Sequence, residues 1–163
     1  MTLNKLLSGL LVVISLFTGG VEDPLTPDPN KPLGDVLPIE KAVQEFNYLY
    51  GIEVVLPQYL PIHYTTQGGS IDQGALRVDY MDQSNNDDLL SINVFVGEEH
   101  LESEKRAKEV LLNKNITGYH FIMPDSNINF LIFRQDRLTY IIALASHYKD
   151  NKVDELIKIA NSI

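Results

Sequence analysis

The chain reads Ile128-Asn129-Phe130-Leu131-Ile132-Phe133-Arg134-Gln135, Asp136-Arg137, then Leu138-Thr139-Tyr140-Ile141-Ile142-Ala143-Leu144-Ala145-Ser146. Two runs rich in β-branched and aromatic residues are separated by a two-residue polar break, which is the pattern of two strands joined by a tight turn. Ile141 to Ala145 is apolar at every position, so that strand is expected at the centre of a sheet with both faces covered. Pro124-Asp125-Ser126-Asn127 supplies a second turn, and Ile116 to Met123 a further strand before it.

Working outward, Leu76, Val78 and Tyr80 alternate with Arg77 and Asp79, and Leu90, Ile92, Val94 and Val96 alternate with Ser91, Asn93 and Phe95. These read as a hairpin around the polar turn Gln83 to Asp88. Gly68-Gly69 reads as a turn, and Ile52 to Leu56 as a short strand ended by Pro57. Two amphipathic helices flank the sheet. The first opens at Pro38, repeats Ile39, Ala42, Val43, Phe46, Leu49 and Tyr50 at helical spacing, and stops at Gly51. The last begins near Asn151, with Val153, Leu156, Ile157, Ala160 and Ile163 on one face and Asp154, Glu155, Lys158 and Asn161 opposite. The charged stretch Glu98 to Asn113, with Glu102 placed before Arg106 and Glu104 before Lys108 at helical spacing, predicts a peripheral helix. The expected fold class is α+β: a mostly antiparallel sheet of five to seven strands, with the N-terminal and C-terminal helices packed on one face.

The N-terminus sets the compartment. Asn4-Lys5 precedes an apolar run from Leu6 to Phe17, and Thr18-Gly19-Gly20 supplies small residues after it, the order of an export signal. The run is short for a membrane-spanning helix. Residues 1–20 therefore read as a lipoprotein-like signal peptide that lacks the cysteine needed for acylation, since the chain has no cysteine at all. Residues 21–37, with Pro24, Pro27, Pro29 and Pro32 among charged and polar residues, read as a spacer, and 38–163 as a single domain. Without disulfides the core must stabilise itself, and about 130 residues suffice for that. Net charge is −9 and becomes −10 without Lys5, which disfavours nucleic acid and anionic lipid as partners. The expected location is extracytoplasmic, secreted or attached to the outer face of the cytoplasmic membrane, with the N-terminus as the only route to a tether.

Three segments carry a family resemblance: Leu56-Pro57-Gln58-Tyr59-Leu60-Pro61-Ile62-His63-Tyr64, Leu131 to Ile142, and Val153 to Ile163. In this order they are similar to the bacterial domain-of-unknown-function 4367 family, with His63 standing where that family usually has glycine and a longer connection at Glu98 to Asn113. Leu89 to Val96 bears a more distant likeness to the small domain of the RseB/MucB envelope-stress regulators. The resemblance implies an extracytoplasmic domain of the kind found in lipoproteins and anti-sigma-factor ectodomains, without assigned catalytic residues.

Patterns of chemistry are sparse. His63, His100, His120 and His147 form no paired metal motif, and Glu98-Glu99-His100 with Glu102 reads as a solvated helix start. Asp82 to Asp88 lacks the glycine and terminal glutamate of a calcium loop, so it reads as a turn. Gly68-Gly69-Ser70-Ile71-Asp72 lacks the last glycine of a nucleophile elbow. No catalytic, cofactor or metal residue is expected. Tyr48, Tyr50, Tyr59 and Tyr64 gather around the first helix and the proline segment and are the candidate partner-binding surface; rings covering a sheet edge are the plainer reading. The function expected is a non-catalytic, envelope-associated binding or regulatory domain whose partner is an envelope protein or peptide. The alternative is a small secreted hydrolase with a site assembled from dispersed Asp, Glu, Ser and His.

Overall fold

The computed structural model describes residues 36–61, 63–82, 84, 88–97, 106–123, 126, 128–145 and 151–163. The architecture is α+β: α1 (Ile39–Tyr50), β1 (Thr66–Asp72), β2 (Ala75–Met81), β3 (Leu89–Val96), β4 (Lys108–Leu111), β5 (Thr117–Ile122), β6 (Ile128–Gln135), β7 (Leu138–Ala145) and α2 (Lys152–Asn161). The strands form one seven-stranded sheet in the order β1-β2-β3-β7-β6-β5-β4, and every neighbouring pair is antiparallel. β7, apolar at every position from Ile141 to Ala145, occupies the centre of that order, as its composition requires. No helix among the described residues is long and apolar enough to cross a membrane.

Alternation gives the sheet two chemically different faces. On one, Leu76, Val78, Leu90, Ile92, Val94, Leu131, Phe133, Tyr140 and Ile142 meet Ala42 and Phe46 of α1 and Leu156 and Ile159 of α2 in a single core. Each fully buried large side chain there contributes about 1.5–3 kcal/mol of burial free energy. Both helices therefore lie on one face. Phe133 and Tyr140, directly opposed in register, stack with ring centroids 5.1 Å apart. The other face holds a second cluster of Phe121, Ile128, Phe130, Ile132, Ile141 and Ala143, where Phe121 stacks on its register partner Phe130 at 4.9 Å.

Between the helices, the chain from Ile52 to Pro61 crosses the first face. It is not the strand expected over Ile52 to Leu56: those residues join no ladder, and the Val54 amide donates to Asn47 Oδ1 at 3.0 Å instead. Val54 is buried, Leu56 and Leu60 pack against the core, and the Tyr140 hydroxyl donates to the Val55 carbonyl at 3.3 Å. Pinned to a helix side chain and a tyrosine, this segment covers the sheet without extending it.

Gly68 and Gly69 are not a turn. They lie inside β1, and the turn falls at Gln73-Gly74, both with positive φ, as a two-residue hairpin requires. The glycines are needed because the strand is approached from both sides. A Cβ on Gly69 would lie 2.7 Å from Ala42 Cβ of α1, and one on Gly68 would collide with Val36 Cγ1. Leu37, at the end of the proline-rich stretch, bridges to Gly69 by two backbone hydrogen bonds of 2.7 and 2.8 Å.

The helix expected over Glu98 to Asn113 is corrected where it can be followed: Lys108–Leu111 is the edge strand β4, paired with β5, and Lys114 and Asn115 turn the chain with positive φ. Residues 98–105 lie outside the described residues, as do residues 1–35, where a signal peptide and most of a spacer are expected. A second correction concerns α2. Glu155, expected on the wet face, is buried, and Ile159 is fully buried beside Leu156. Asn151 caps this helix by accepting the Asp154 amide.

Candidate functional site

The four candidate tyrosines fall into two separate pairs. Tyr48 and Tyr50 are at the C-terminal end of α1, and the Tyr50 ring lies tilted against Phe46, centroids 4.6 Å apart, with its hydroxyl beside Gly74 of the β1–β2 turn. Tyr64 packs on Tyr80 at 5.6 Å, near the opposite end of β2. Five residue steps along β2 from Ala75 to Tyr80 separate the two ends by about 17 Å.

Tyr59 and Tyr64 belong to the packed structure. The Tyr59 hydroxyl donates to Glu155 Oε2 at 2.6 Å, the Lys158 ammonium donates to Glu155 Oε1 at 3.0 Å, and the Tyr59 amide donates to Ser162 Oγ at 3.1 Å. The proline segment is thereby latched onto α2. The bond to Glu155 raises the Tyr59 pKa above its ordinary value, with burial adding to it, and the same carboxylate raises Lys158. Tyr64 is pushed up much further, chiefly by burial and then by the nearby Asp88 carboxylate. Its hydroxyl is buried and makes no hydrogen bond among the described residues. Lys152 is buried at the start of α2, and its pKa is lowered by burial against the opposing pull of Asp88.

Tyr48 is different. It is 87% exposed and Leu49 56%, whereas Tyr50, which lies against the buried Phe46, is about as exposed as Tyr59. Helical geometry explains it: Tyr48 follows the buried Phe46 by two residues, or about 200° around the axis, so it points directly away from the sheet. The outward positions before it are Glu40, Lys41, Gln44 and Glu45, all exposed and polar. An apolar crest begins only where the helix ends at Gly51, whose φ of 60° stops it.

A second cluster was not singled out from sequence. On the face opposite the helices, Arg77 and Asp79 of β2 stand next to Asn93 and Ser91 of β3 in exact register. Arg77 Nε donates to Asp79 Oδ2 at 2.7 Å, while Asp79 Oδ1 and Ser91 Oγ are buried with no hydrogen-bond partner among the described residues. One donor between them, a bound water included, would satisfy both oxygens. The alternation that makes β2 a strand also places Arg77 and Asp79 together; their orphaned atoms are not visible in a linear pattern.

The remaining candidates are dispersed. His63 is exposed, and His120 is buried with Nε2 3.0 Å from Asn129 Oδ1 on the helix-bearing face, away from Ser91. His100 and His147 lie outside the described residues. In the Asp82 turn, the Ser84 hydroxyl and amide both donate to Asp82 Oδ1, at 2.6 and 2.9 Å, and lower its pKa. Among the described residues no group of three or more His, Asp or Glu is placed to hold a metal ion. Compared with family models, with curated proteins and with solved structures, the chain matches none.

Proposed function

We propose that this chain is an exported, envelope-associated binding or regulatory domain that performs no catalysis and engages a protein or peptide through the exposed end of α1. The observation that carries the reading is the exposed pair Tyr48 and Leu49 on an otherwise conventional amphipathic helix. Tyrosine and leucine held outward on a rigid element offer apolar area at small entropic cost, and tyrosine is among the residues that dominate interfaces. The leader at residues 1–20 and the proline-rich stretch after it support an extracytoplasmic setting. The resemblance of Leu56 to Tyr64, Leu131 to Ile142 and Val153 to Ile163 to the domain-of-unknown-function 4367 family supports the same setting and style of work.

The test is crosslinking in intact cells of the native host, comparing the natural chain with a Tyr48→Ala, Leu49→Ser variant. A discrete crosslinked species present with the former and lost with the latter is expected, together with a mature N-terminus beginning close to residue 20. Full-length protein in the cytosol with no crosslinked species overturns the reading.

A further inference from the structure

We infer that Val36 and Leu37 form an autoinhibitory guard on the outer edge of β1, and that their release lets β1 pair edge to edge with β1 of a second copy of this chain. The inference is independent of the partner proposed for α1.

The sheet ends in β1 on one side and β4 on the other, and the two edges are protected by different means. β4 is four residues long and carries Lys108 and Glu109, both exposed; shortness and charge are ordinary defences of an edge. β1 has neither. It runs for seven residues, its only charge is the terminal Asp72, and Gly68 and Gly69 leave its middle without side chains. An edge of that kind is a template for another strand.

What stands on it is the chain just before α1. Leu37 donates its amide to the Gly69 carbonyl at 2.7 Å and accepts the Gly69 amide at 2.8 Å. Gly69 is the fourth of the seven residues, so the contact holds the midpoint of the edge. Val36 lies over Gly68, where an added Cβ would collide with its Cγ1. Alternate residues of an antiparallel strand direct their N–H and C=O groups to the same side, so Gln67 and Ile71 share the outward direction of Gly69. Among the described residues no backbone partner crosses the edge to either. Leu37 thus blocks the middle of three outward positions.

The edge is its own complement. Turned about a two-fold axis at Gly69, β1 sets Gln67 opposite Ile71, Gly68 opposite Ser70 and Thr66 opposite Asp72 of the second copy, so no two like charges meet. Release of the guard leaves α1 in place, because Ala42 and Phe46 hold that helix in the core.

The experiment is thiol crosslinking of the full chain in solution. The chain has no cysteine, so Ser70→Cys places a single thiol beside the edge for a short bismaleimide. With the guard intact, little crosslinked dimer is expected. Adding Val36→Asp with Leu37→Pro removes the side chain over Gly68 and the amide that bonds Gly69, and is expected to raise the dimer yield about tenfold or more. Adding Gln67→Lys to those substitutions is expected to bring the yield back down, since a lysine on an edge opposes strand addition. That reversal separates edge pairing from misfolding, because an unfolded chain crosslinks whether or not residue 67 is lysine. A yield unchanged by the guard substitutions, a yield already as high with the guard intact, or one that Gln67→Lys does not reverse overturns the inference.

Discussion

On the face that carries the helices, the strands present Leu76, Val78, Leu90, Ile92, Phe133 and Tyr140, and α1, α2 and the segment from Ile52 to Leu60 cover them. On the opposite face the same strands are divided. β2 and β3 present Arg77, Asp79, Ser91 and Asn93, while β5, β6 and β7 present Phe121, Phe130, Ile132 and Ile141. The first face buries hydrophobes almost uniformly; the second sets a polar block with two orphaned oxygens beside an aromatic cluster. The difference teaches that a strand at the middle of a sheet is constrained on both sides, whereas β2 is constrained chiefly on one. Polar chemistry has room only where packing does not demand the position.

The largest test of this contrast is the pair Phe133→Ala and Phe130→Ala. Each ring is fully buried, and each stacks on a register partner, one on either face. Truncation of either is expected to cost about 3–5 kcal/mol in urea unfolding. Equal costs make the second face a core in its own right; a cost below about 1 kcal/mol for Phe130→Ala breaks that claim. Next in size is Thr139→Val, which removes a 2.6 Å bond from Thr139 Oγ1 to the Gly97 carbonyl, at an expected cost of about 1 kcal/mol.

Tyr59→Phe probes the latch on the helix-bearing side. It removes the bond to Glu155 and is expected to cost about 0.5–1 kcal/mol, kept small by the partial exposure of Tyr59. The same bond makes stability depend on pH. The folded state holds the Tyr59 phenol above 10.0 and the Lys158 ammonium above 10.5, so both contributions are complete below pH 10. They fade as pH rises through the elevated values. Tyr64, Tyr80 and Tyr140 are raised in the same direction, mainly by burial, and steepen this alkaline loss. Thermal melts across pH 9–12 should therefore fall less steeply for Tyr59→Phe than for the natural chain.

The smallest expected effect is at Ser91. Its hydroxyl is buried and has no partner among the described residues, so Ser91→Ala should leave stability unchanged or raise it by a few tenths of a kcal/mol. A loss above about 1 kcal/mol would mean that an ordered water or a bound group uses that oxygen.

Much of this architecture is legible in the residue pattern. Ile39–Tyr50 carries a helical repeat and a glycine stop, Ile128–Gln135 and Leu138–Ala145 carry strand composition around a turn, and β2 with β3 carries clean alternation. Two strands were hidden for different reasons. β1 contains Gly68 and Gly69, which have no side chain to alternate and locally resemble a turn; they are set by the approach of Ala42 and Val36 from elsewhere in the chain. β4 lies in a run whose charge spacing favours a helix, and only the distant ladder with β5 makes it a strand. The tyrosines show the same limit. Nothing local to Tyr59 announces Glu155 or Ser162, about a hundred residues downstream, so residue type alone could not separate the latched tyrosines from the exposed ones.

The Leu37–Gly69 bridge has a mechanical consequence. Any pull entering from upstream of Val36 meets two hydrogen bonds on the outermost strand before it meets the helices. Such bonds can give way one after the other, and α1 stands next in line, with its C-terminal end bearing Tyr48 and Leu49. Tension on this chain would thus be spent at the margin of the sheet, leaving the β3–β7–β6 centre the last part to feel the load.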